Sequence, residues 1–174
     1  MTKREALRDL QNRLADRFQS ARNEAVSASW LAVLLGPGQY LLPLNHSGEI
    51  FPLTALARVP YAAPWFAGVA NLRGSLCGVV DIAIFLGEAG ERSELSWPNA
   101  RLVTFNPELD INCALMIDGL VGLRRPDAFV AIEPAATGVS EHLGRTCLDA
   151  EGRRWQELDL RALSQSSRFL NIGA

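Results

Sequence analysis

The sequence predicts a mainly β protein built from short strands. From Trp30 onward the chain consists of short apolar runs that are separated by turn residues. Few helical patterns lie between these runs, which favours small barrels or a sandwich over alternating strands and helices. Several glycines lie in or beside the runs, and glycine at such positions is typical of bulges and bends in a curved sheet.

The first segment differs from the rest, because it predicts a helix. Thr2 and Glu5 fit a capping box, in which each side chain satisfies a free backbone amide of the first turn. The apolar side chains that follow recur at helical spacing and are Leu7, Leu10, Leu14 and Phe18. We expect a helical extension at 1–28 and the main domain at 29–174. The helix either packs on that domain or serves as a partner-binding arm.

The main domain is expected to follow a simple order of strands. The predicted strands are WLAVLL (30–35), YLLPL (40–44), EIFPL (49–53), GVANL (68–72), LCGVVDI (76–82), RLVTF (101–105), NCALMI (112–117), LVGLR (120–124), RTCLDA (145–150) and RWQEL (154–158). A tight turn is predicted at Arg73–Ser75. Asp118 and Gly119 lie between two apolar runs and predict a type I′ hairpin, whose two central residues both adopt positive φ. The remaining segments are expected to be polar loops at 87–99 and 125–144 and a short helix at about 159–166.

The composition limits the classes of function. With 174 residues, 48% of them hydrophobic, the chain can bury a core without a metal or a disulfide. A net charge of −2 gives no field that would predict nucleic acid or an anionic membrane as a partner. The apolar runs are too short to span a bilayer, and the start lacks the apolar core of a secretory signal. The three cysteines lie singly in or beside apolar runs, so we expect free thiols in a reducing cytoplasm.

The reactive side chains do not predict an enzyme. His46 is adjacent to Ser47, but neighbours in an extended chain point to opposite faces. His142 and Cys147 lack the spacing of a zinc site, and the glycine-rich motifs that bind nucleotides do not occur. We therefore expect no catalytic residue, no metal and no cofactor.

The segment 66–82, FAGVANLRGSLCGVVDI, resembles the signature of the CheW family of chemosensory adaptors. The residues that match this signature are Gly68, Val69, Asn71, Leu72, Arg73, Gly74, Val80 and Asp81. Cys77 and Gly78 depart from it, because the family commonly has a Val/Leu-Pro pair there. The hairpin that precedes Glu49, the turn at 117–120 and the closing strand and helix agree with the family in order and spacing, so the resemblance covers about Trp30 to Ser167.

This resemblance implies both a fold and a role. The implied fold consists of two small five-stranded SH3-like β barrels packed together, with an N-terminal helix and a short C-terminal helix. The implied role is that of a non-enzymatic scaffold that couples the cytoplasmic tip of a chemoreceptor to the regulatory domain of a CheA-type histidine kinase in chemotaxis signal transduction. The N-terminal helix and the chain length are more similar to members that serve type IV pilus twitching motility. Binding of nucleic acid and direct insertion into a membrane are not expected.

The same resemblance suggests a partner-binding neighbourhood at Gly68, Asn71, Leu72 and Arg73. The planar guanidinium of Arg73 can bind a carboxylate through two parallel hydrogen bonds. Arg73 either contacts the receptor tip or forms a structural pair with Glu49 that fixes two strands of the first barrel. Asn71 tolerates positive φ and can shape the turn beside it.

A second hypothesis places the chain in another class, as a small β-barrel nucleic-acid or ligand-binding module with no role in a signalling array. Such barrels bind single strands through aromatic side chains on a basic groove. The arginine doublets are Arg124-Arg125 and Arg153-Arg154, and most aromatic residues lie inside apolar runs. The adaptor hypothesis is therefore favoured.

Overall fold

The computed structural model describes residues 9, 11–17, 29–90, 92 and 97–173. Residues 9 and 11–17 are helical and exposed. The predicted capping box and most of the predicted apolar stripe lie outside the described residues, namely Thr2, Glu5, Leu7, Leu10 and Phe18. Among the described helices, none is both long enough and apolar enough to cross a membrane.

The main domain is mainly β, which confirms the predicted fold class. Its described strands are β1 (Trp30–Leu35), β2 (Gly38–Pro43), β3 (Ser47–Pro52), β4 (Phe66–Leu72), β5 (Ser75–Asp81), β6 (Arg101–Phe105), β7 (Cys113–Ile117), β8 (Gly119–Arg124), β9 (Phe129–Glu133), β10 (Leu143–Asp149) and β11 (Arg154–Leu158). Its described helices are α1 (Ile82–Leu86), α2 (Leu160–Gln165) and α3 (Ser167–Leu170), with single 3₁₀ turns at Pro107–Leu109 and Pro126–Ala128.

The strands form two sheets, one of six strands in the order β8-β1-β2-β11-β10-β9 and one of five in the order β3-β6-β7-β5-β4. The edges of the five-stranded sheet meet, because Ala57 after β3 exchanges backbone hydrogen bonds of 2.8 and 2.9 Å with Val69 of β4. The edge strands of the other sheet are joined by the 3₁₀ turn at Pro126–Ala128. We call the two units the five-stranded and the six-stranded barrel; the second has one strand more than the resemblance implied.

Strand β1 shows why the apolar runs of this chain do not alternate with polar residues. Trp30 and Ala32 belong to the core inside the six-stranded barrel. Leu31, Val33 and Leu35 point the other way, into a larger core to which both barrels contribute side chains. Because both faces of β1 are covered, the whole run is apolar and shows no period of two. The shared core fixes the orientation of one barrel relative to the other.

Aromatic side chains close this shared core at the C-terminal end of the chain. The rings of Trp65 and Phe85 meet edge to face with centroids 5.1 Å apart. Phe169 of α3 meets Phe85 in the same way at 5.4 Å and stacks on Trp65 at 6.2 Å. Such contacts add to the burial of the three rings, so the closing helices are part of the packed body.

The predicted hairpin at Asp118 and Gly119 is wrong. Strand β7 pairs with β5 and β6, whereas β8 pairs with β1 in the other sheet. Neither Asp118 nor Gly119 has the positive φ that a type I′ turn requires. The chain instead crosses from one barrel to the other at this point, and the Asp118 amide donates to the carbonyl of Leu34 at 3.0 Å.

Two further elements differ from the sequence prediction. Strand β9 lies inside the segment 125–144, which was expected to be a loop; it is an edge strand in which Phe129 alone is buried, so its apolar pattern is weak. Helix α1 follows β5 directly, where the apolar run was expected to end. The Asp81 carboxylate caps it by accepting from the Ile84 amide at 3.2 Å, which switches the chain from strand to helix.

The turn between β10 and β11 is organised around the carboxylate of Asp149. This carboxylate accepts hydrogen bonds from Trp155 Nε1 at 3.0 Å and from the amide and Nε of Arg153 at 2.9 and 2.8 Å. Burial alone would raise its pKa, but these hydrogen bonds and the charge of Arg153 outweigh burial and hold the pKa of Asp149 at about 2.

We expect Asp149 to make folding stability depend on pH in the acid range. Its folded pKa lies below the ordinary aspartate value of about 3.9, so its stabilisation is complete above that value and is lost as the pH falls towards 2. Asp149→Asn should lower the urea midpoint at neutral pH and flatten its fall between about pH 4 and 2. Asp127→Asn, at an exposed position, is the matched control. Parallel curves for Asp149→Asn and the wild type would contradict this assignment.

Candidate functional site

The segment that matches the family signature forms a hairpin of β4, a two-residue turn and β5. Arg73 and Gly74 form the turn with φ of 51° and 86°, and Leu72 pairs with Ser75 across it. Positive φ at both positions is the geometry of a type I′ turn, which matches the twist of the flanking strands. The Asn71 side chain accepts from the Gly74 amide at 2.8 Å and holds the turn closed.

The four residues suggested as a partner-binding neighbourhood divide into two pairs. Asn71 and Arg73 are exposed. Leu72 is buried in the core of the five-stranded barrel, and Gly68 is buried against Ala57. The last two therefore shape the hairpin from inside, and Asn71 and Arg73 are the members of this neighbourhood whose side chains are open to solvent.

Arg73 bridges the two edges of the five-stranded sheet. Its Nη1 lies 2.5 Å from Oε2 of Glu49 on β3, and its guanidinium carbon lies 5.2 Å from the ring centroid of Phe51 on the same strand. The pair is open to water, because the side chains of Arg73 and Glu49 are 73% and 59% exposed. An ion pair this exposed stabilises a fold little, so its main effect is to hold the guanidinium in one orientation.

An apolar residue at the start of the predicted strand 76–82 extends this surface. Leu76 on β5 is directly opposite Asn71 in the register and is 67% exposed. Because Leu76 lies in an apolar run, the run itself does not indicate that this side chain is exposed. Alternation along β5 gives the only signal, since Cys77 and Val79 fill the barrel and Leu76 faces away from it. We call Asn71, Arg73, Gly74 and Leu76 the hairpin surface.

A second group of charged side chains lies between the barrels. Arg92 Nε donates to Asp81 Oδ2 at 3.0 Å, and its other nitrogen atoms contact Asp81 and Asp118. Asp118 also accepts from the Gly36 amide in the β1–β2 turn, so the group joins both barrels. Burial alone would lower the pKa of Arg92. Its hydrogen bonds with the two aspartates outweigh burial and raise that pKa above its ordinary value, so the guanidinium stays charged. Arg92 lies in a segment expected to be a polar loop and carries no sequence signal of this role.

The residues considered for catalysis do not form a reactive group together. Ser47 Oγ donates to the carbonyl of Pro43 at 2.8 Å. His142 is buried against Phe85, with ring centroids 5.6 Å apart, and burial lowers its pKa. Burial raises the pKa of all three thiols, those of Cys77, Cys113 and Cys147, which disfavours the reactive thiolate. Within the described ranges, no three His, Cys, Asp or Glu residues are placed to hold a metal ion.

Comparison with known proteins agrees with this geometry. Protein PilI of Pseudomonas aeruginosa is 26% identical over 163 residues, which span 87% of this chain and 84% of that protein. The crystal structure of the scaffolding protein TtCheW from Thermoanaerobacter tengcongensis has the same fold, with a TM-score of 0.58 at 15% identity over 76% of this chain and 88% of that chain. The family model of the CheW-like domain matches residues 29–168. Since that match spans most of the sequence, the chain belongs to the CheW-like domain family.

Proposed function

We propose that this chain is a non-enzymatic adaptor that couples the cytoplasmic tip of a chemoreceptor to the regulatory domain of a CheA-type histidine kinase. The observation that carries the proposal is the exposed, preformed hairpin surface on a rigid pair of barrels of the CheW-like family. The likeness to PilI favours a type IV pilus system, with twitching motility as the output.

An adaptor of this kind needs two binding surfaces at a fixed relative orientation and no reactive group. The core shared by the two barrels supplies that rigidity, because side chains of both sheets interdigitate in it. The contacts of Arg92 with Asp81 and Asp118 add a second tie between the barrels. A partner bound to one barrel is therefore held in register with a partner bound to the other.

The chemistry of the hairpin surface favours a partner that presents a carboxylate beside an apolar side chain. Arg73 contacts Glu49 through Nη1, and its other nitrogen atoms can donate to a second carboxylate. Leu76 supplies an exposed apolar group on the neighbouring strand. A helical receptor tip with a glutamate next to a leucine or an isoleucine matches this arrangement.

We expect Arg73→Ala to weaken binding of a receptor-tip fragment by about tenfold, because a charge-assisted pair is lost from the contact. Melting should fall by no more than a few degrees, since the pair with Glu49 is exposed and contributes at most about 1 kcal/mol. Titration calorimetry with the receptor tip and with the kinase regulatory domain measures the first effect, and a thermal scan measures the second. Arg161→Ala, which removes an exposed arginine on α2, is the control.

Three other results would change this proposal. Unchanged binding and unchanged melting in Arg73→Ala would remove Arg73 from the contact. A large fall in melting would assign the pair with Glu49 to stability instead of recognition. If the wild-type chain bound neither protein at micromolar concentrations while it bound oligonucleotides, the adaptor function would be wrong and the nucleic-acid module would replace it.

A further inference from the structure

A cavity of about 290 Å³ lies beside the start of β4, at the opposite end of that strand from the hairpin surface. Seven residues of extended strand separate the two places by about 20 Å. The cavity wall carries somewhat more polar than apolar surface, and its apolar side chains, which include Val59, Pro64, Phe66 and Ile84, form one part of it. Its volume is at the lower limit of small-molecule sites, which suits a single large side chain better than a whole metabolite.

Two hydrogen-bond donors on this cavity have no acceptor in the described part of the chain. The indole Nε1 of Trp97 is buried without a hydrogen-bond partner. Arg58 is exposed and forms no ion pair with a described residue. Asp81 is the one acid among the described residues of the cavity wall, and it is already bound to Arg92. A buried donor without an acceptor is costly and calls for a partner group.

The loop that carries Arg58 is held in place at both ends. Ala57 pairs with Val69, and the Ala63 amide donates to the carbonyl of Ile172 at 2.7 Å. Between these ties Tyr61 has a φ of 57° and is 93% exposed. Positive φ is uncommon for a bulky residue and persists where the surrounding structure imposes it, often at functional sites. The loop thus presents Tyr61 to solvent in a preset position.

We propose that this cavity is a docking site for a protein segment that inserts an apolar side chain and places a neighbouring carboxylate against Arg58. The apolar side chain fills the space between Phe66 and Ile84, and an oxygen of the segment accepts from Trp97 Nε1. The cation at Arg58 selects an acidic segment, because the described residues of the wall include no free acid to neutralise it.

The surface around the cavity favours a protein segment as the occupant. Apolar surface continues from the cavity onto Val59 and Tyr61, which are 40% and 93% exposed. A small molecule that filled the cavity would leave this rim in water, whereas an extended segment would cover it. The inference does not depend on the partners proposed for the hairpin surface, because it concerns a separate place on the barrel.

The test uses the full chain labelled with ¹⁵N and two matched probes, acetyl-Leu-Glu-amide and acetyl-Leu-Gln-amide, followed by amide and indole chemical shifts. We expect shifts at residues 58–67 and at the indole N–H of Trp97, with the glutamate probe binding about fivefold more tightly than the glutamine probe. Arg58→Gln should abolish that preference, and Arg161→Gln, at an exposed position on α2, should retain it. Ala67→Met, which adds a side chain to the cavity wall, should abolish binding of both probes.

Each contrary result would overturn the inference. These results are no shift at millimolar probe, equal affinity for the two probes, or shifts that map to the hairpin surface. An indole resonance of Trp97 that stays unmoved in the bound state would show that water satisfies this donor, and the docking geometry would be wrong. The backbone spectrum of each variant verifies that it is folded, and the Arg58 and Ala67 variants act from different walls, so one failure to fold leaves the other decisive.

Discussion

Arg92→Ala should destabilise the folded chain by roughly 3–5 kcal/mol, because it leaves one buried and one half-buried carboxylate without their cation. The side chains of Asp81 and Asp118 are only 2% and 19% exposed, and that of Arg92 is 12% exposed. Removing one member of a buried ion pair is far more costly than removing both, since the remaining charge cannot regain its water. Asp81 also caps α1, so the loss should extend to that helix.

Urea unfolding followed by tryptophan fluorescence measures this free energy directly. Arg125→Ala is the matched control: Arg125 lies 3.1 Å from Asp127, but both side chains are exposed, so its loss should cost at most about 1 kcal/mol. Arg92→Lys should lower the free energy of unfolding by an intermediate amount. An ammonium group keeps the positive charge but lacks the planar guanidinium that can donate to two carboxylates at once. If Arg92→Ala lost as little free energy of unfolding as Arg125→Ala, the ion pairs of Arg92 would not stabilise the contact between the barrels, and this assignment would be wrong.

Most of the strands could be predicted because each one is an apolar run with turn residues at its ends, and the run is longest where both faces are covered, as in β1. The choice of turn could not. Asp118 and Gly119 are the better dipeptide for a type I′ turn, yet the chain forms that turn at Arg73 and Gly74. The reason is tertiary: β7 already has β5 and β6 on its two sides, so no edge remains for β8 to pair with. Local turn chemistry cannot report how many neighbours a strand has.

The position of the candidate site could be predicted from the sequence, but the exposure of its side chains could not. The matching residues located the hairpin, but they could not separate exposed Asn71 and Arg73 from buried Leu72, since a motif carries no information on which way a side chain points. The role of Arg92 depends on carboxylates 11 and 26 positions away in the chain. The cavity beside Arg58 depends on the pairing of Ala57 with Val69, which is a closure of the sheet that no local pattern predicts.

Gly68→Ala should cost roughly 2–4 kcal/mol, because it combines backbone strain with a direct clash. Gly68 has a φ of 139°, and a β-carbon there would lie 2.5 Å from the carbonyl oxygen of Ala57. Neither group can move away easily, since Ala57 is hydrogen-bonded to Val69 at the closure of the barrel. The measurement is again the free energy of unfolding in urea.

Gly152→Ala separates the two causes, because Gly152 has a φ of 80° and nothing lies within 4 Å of an added β-carbon. It should therefore show the strain alone, about 1 kcal/mol. Equal losses at the two glycines would mean that Ala57 yields and that the closure is soft. A larger loss at Gly68 would mean that the barrel resists opening between Ala57 and Val69. The hydrogen bonds between Ala57 and Val69 also position Arg58. If the loss at Gly68 is the larger one, we therefore expect that the cavity of the Gly68→Ala chain no longer prefers the acidic probe. The hairpin surface should keep its shape.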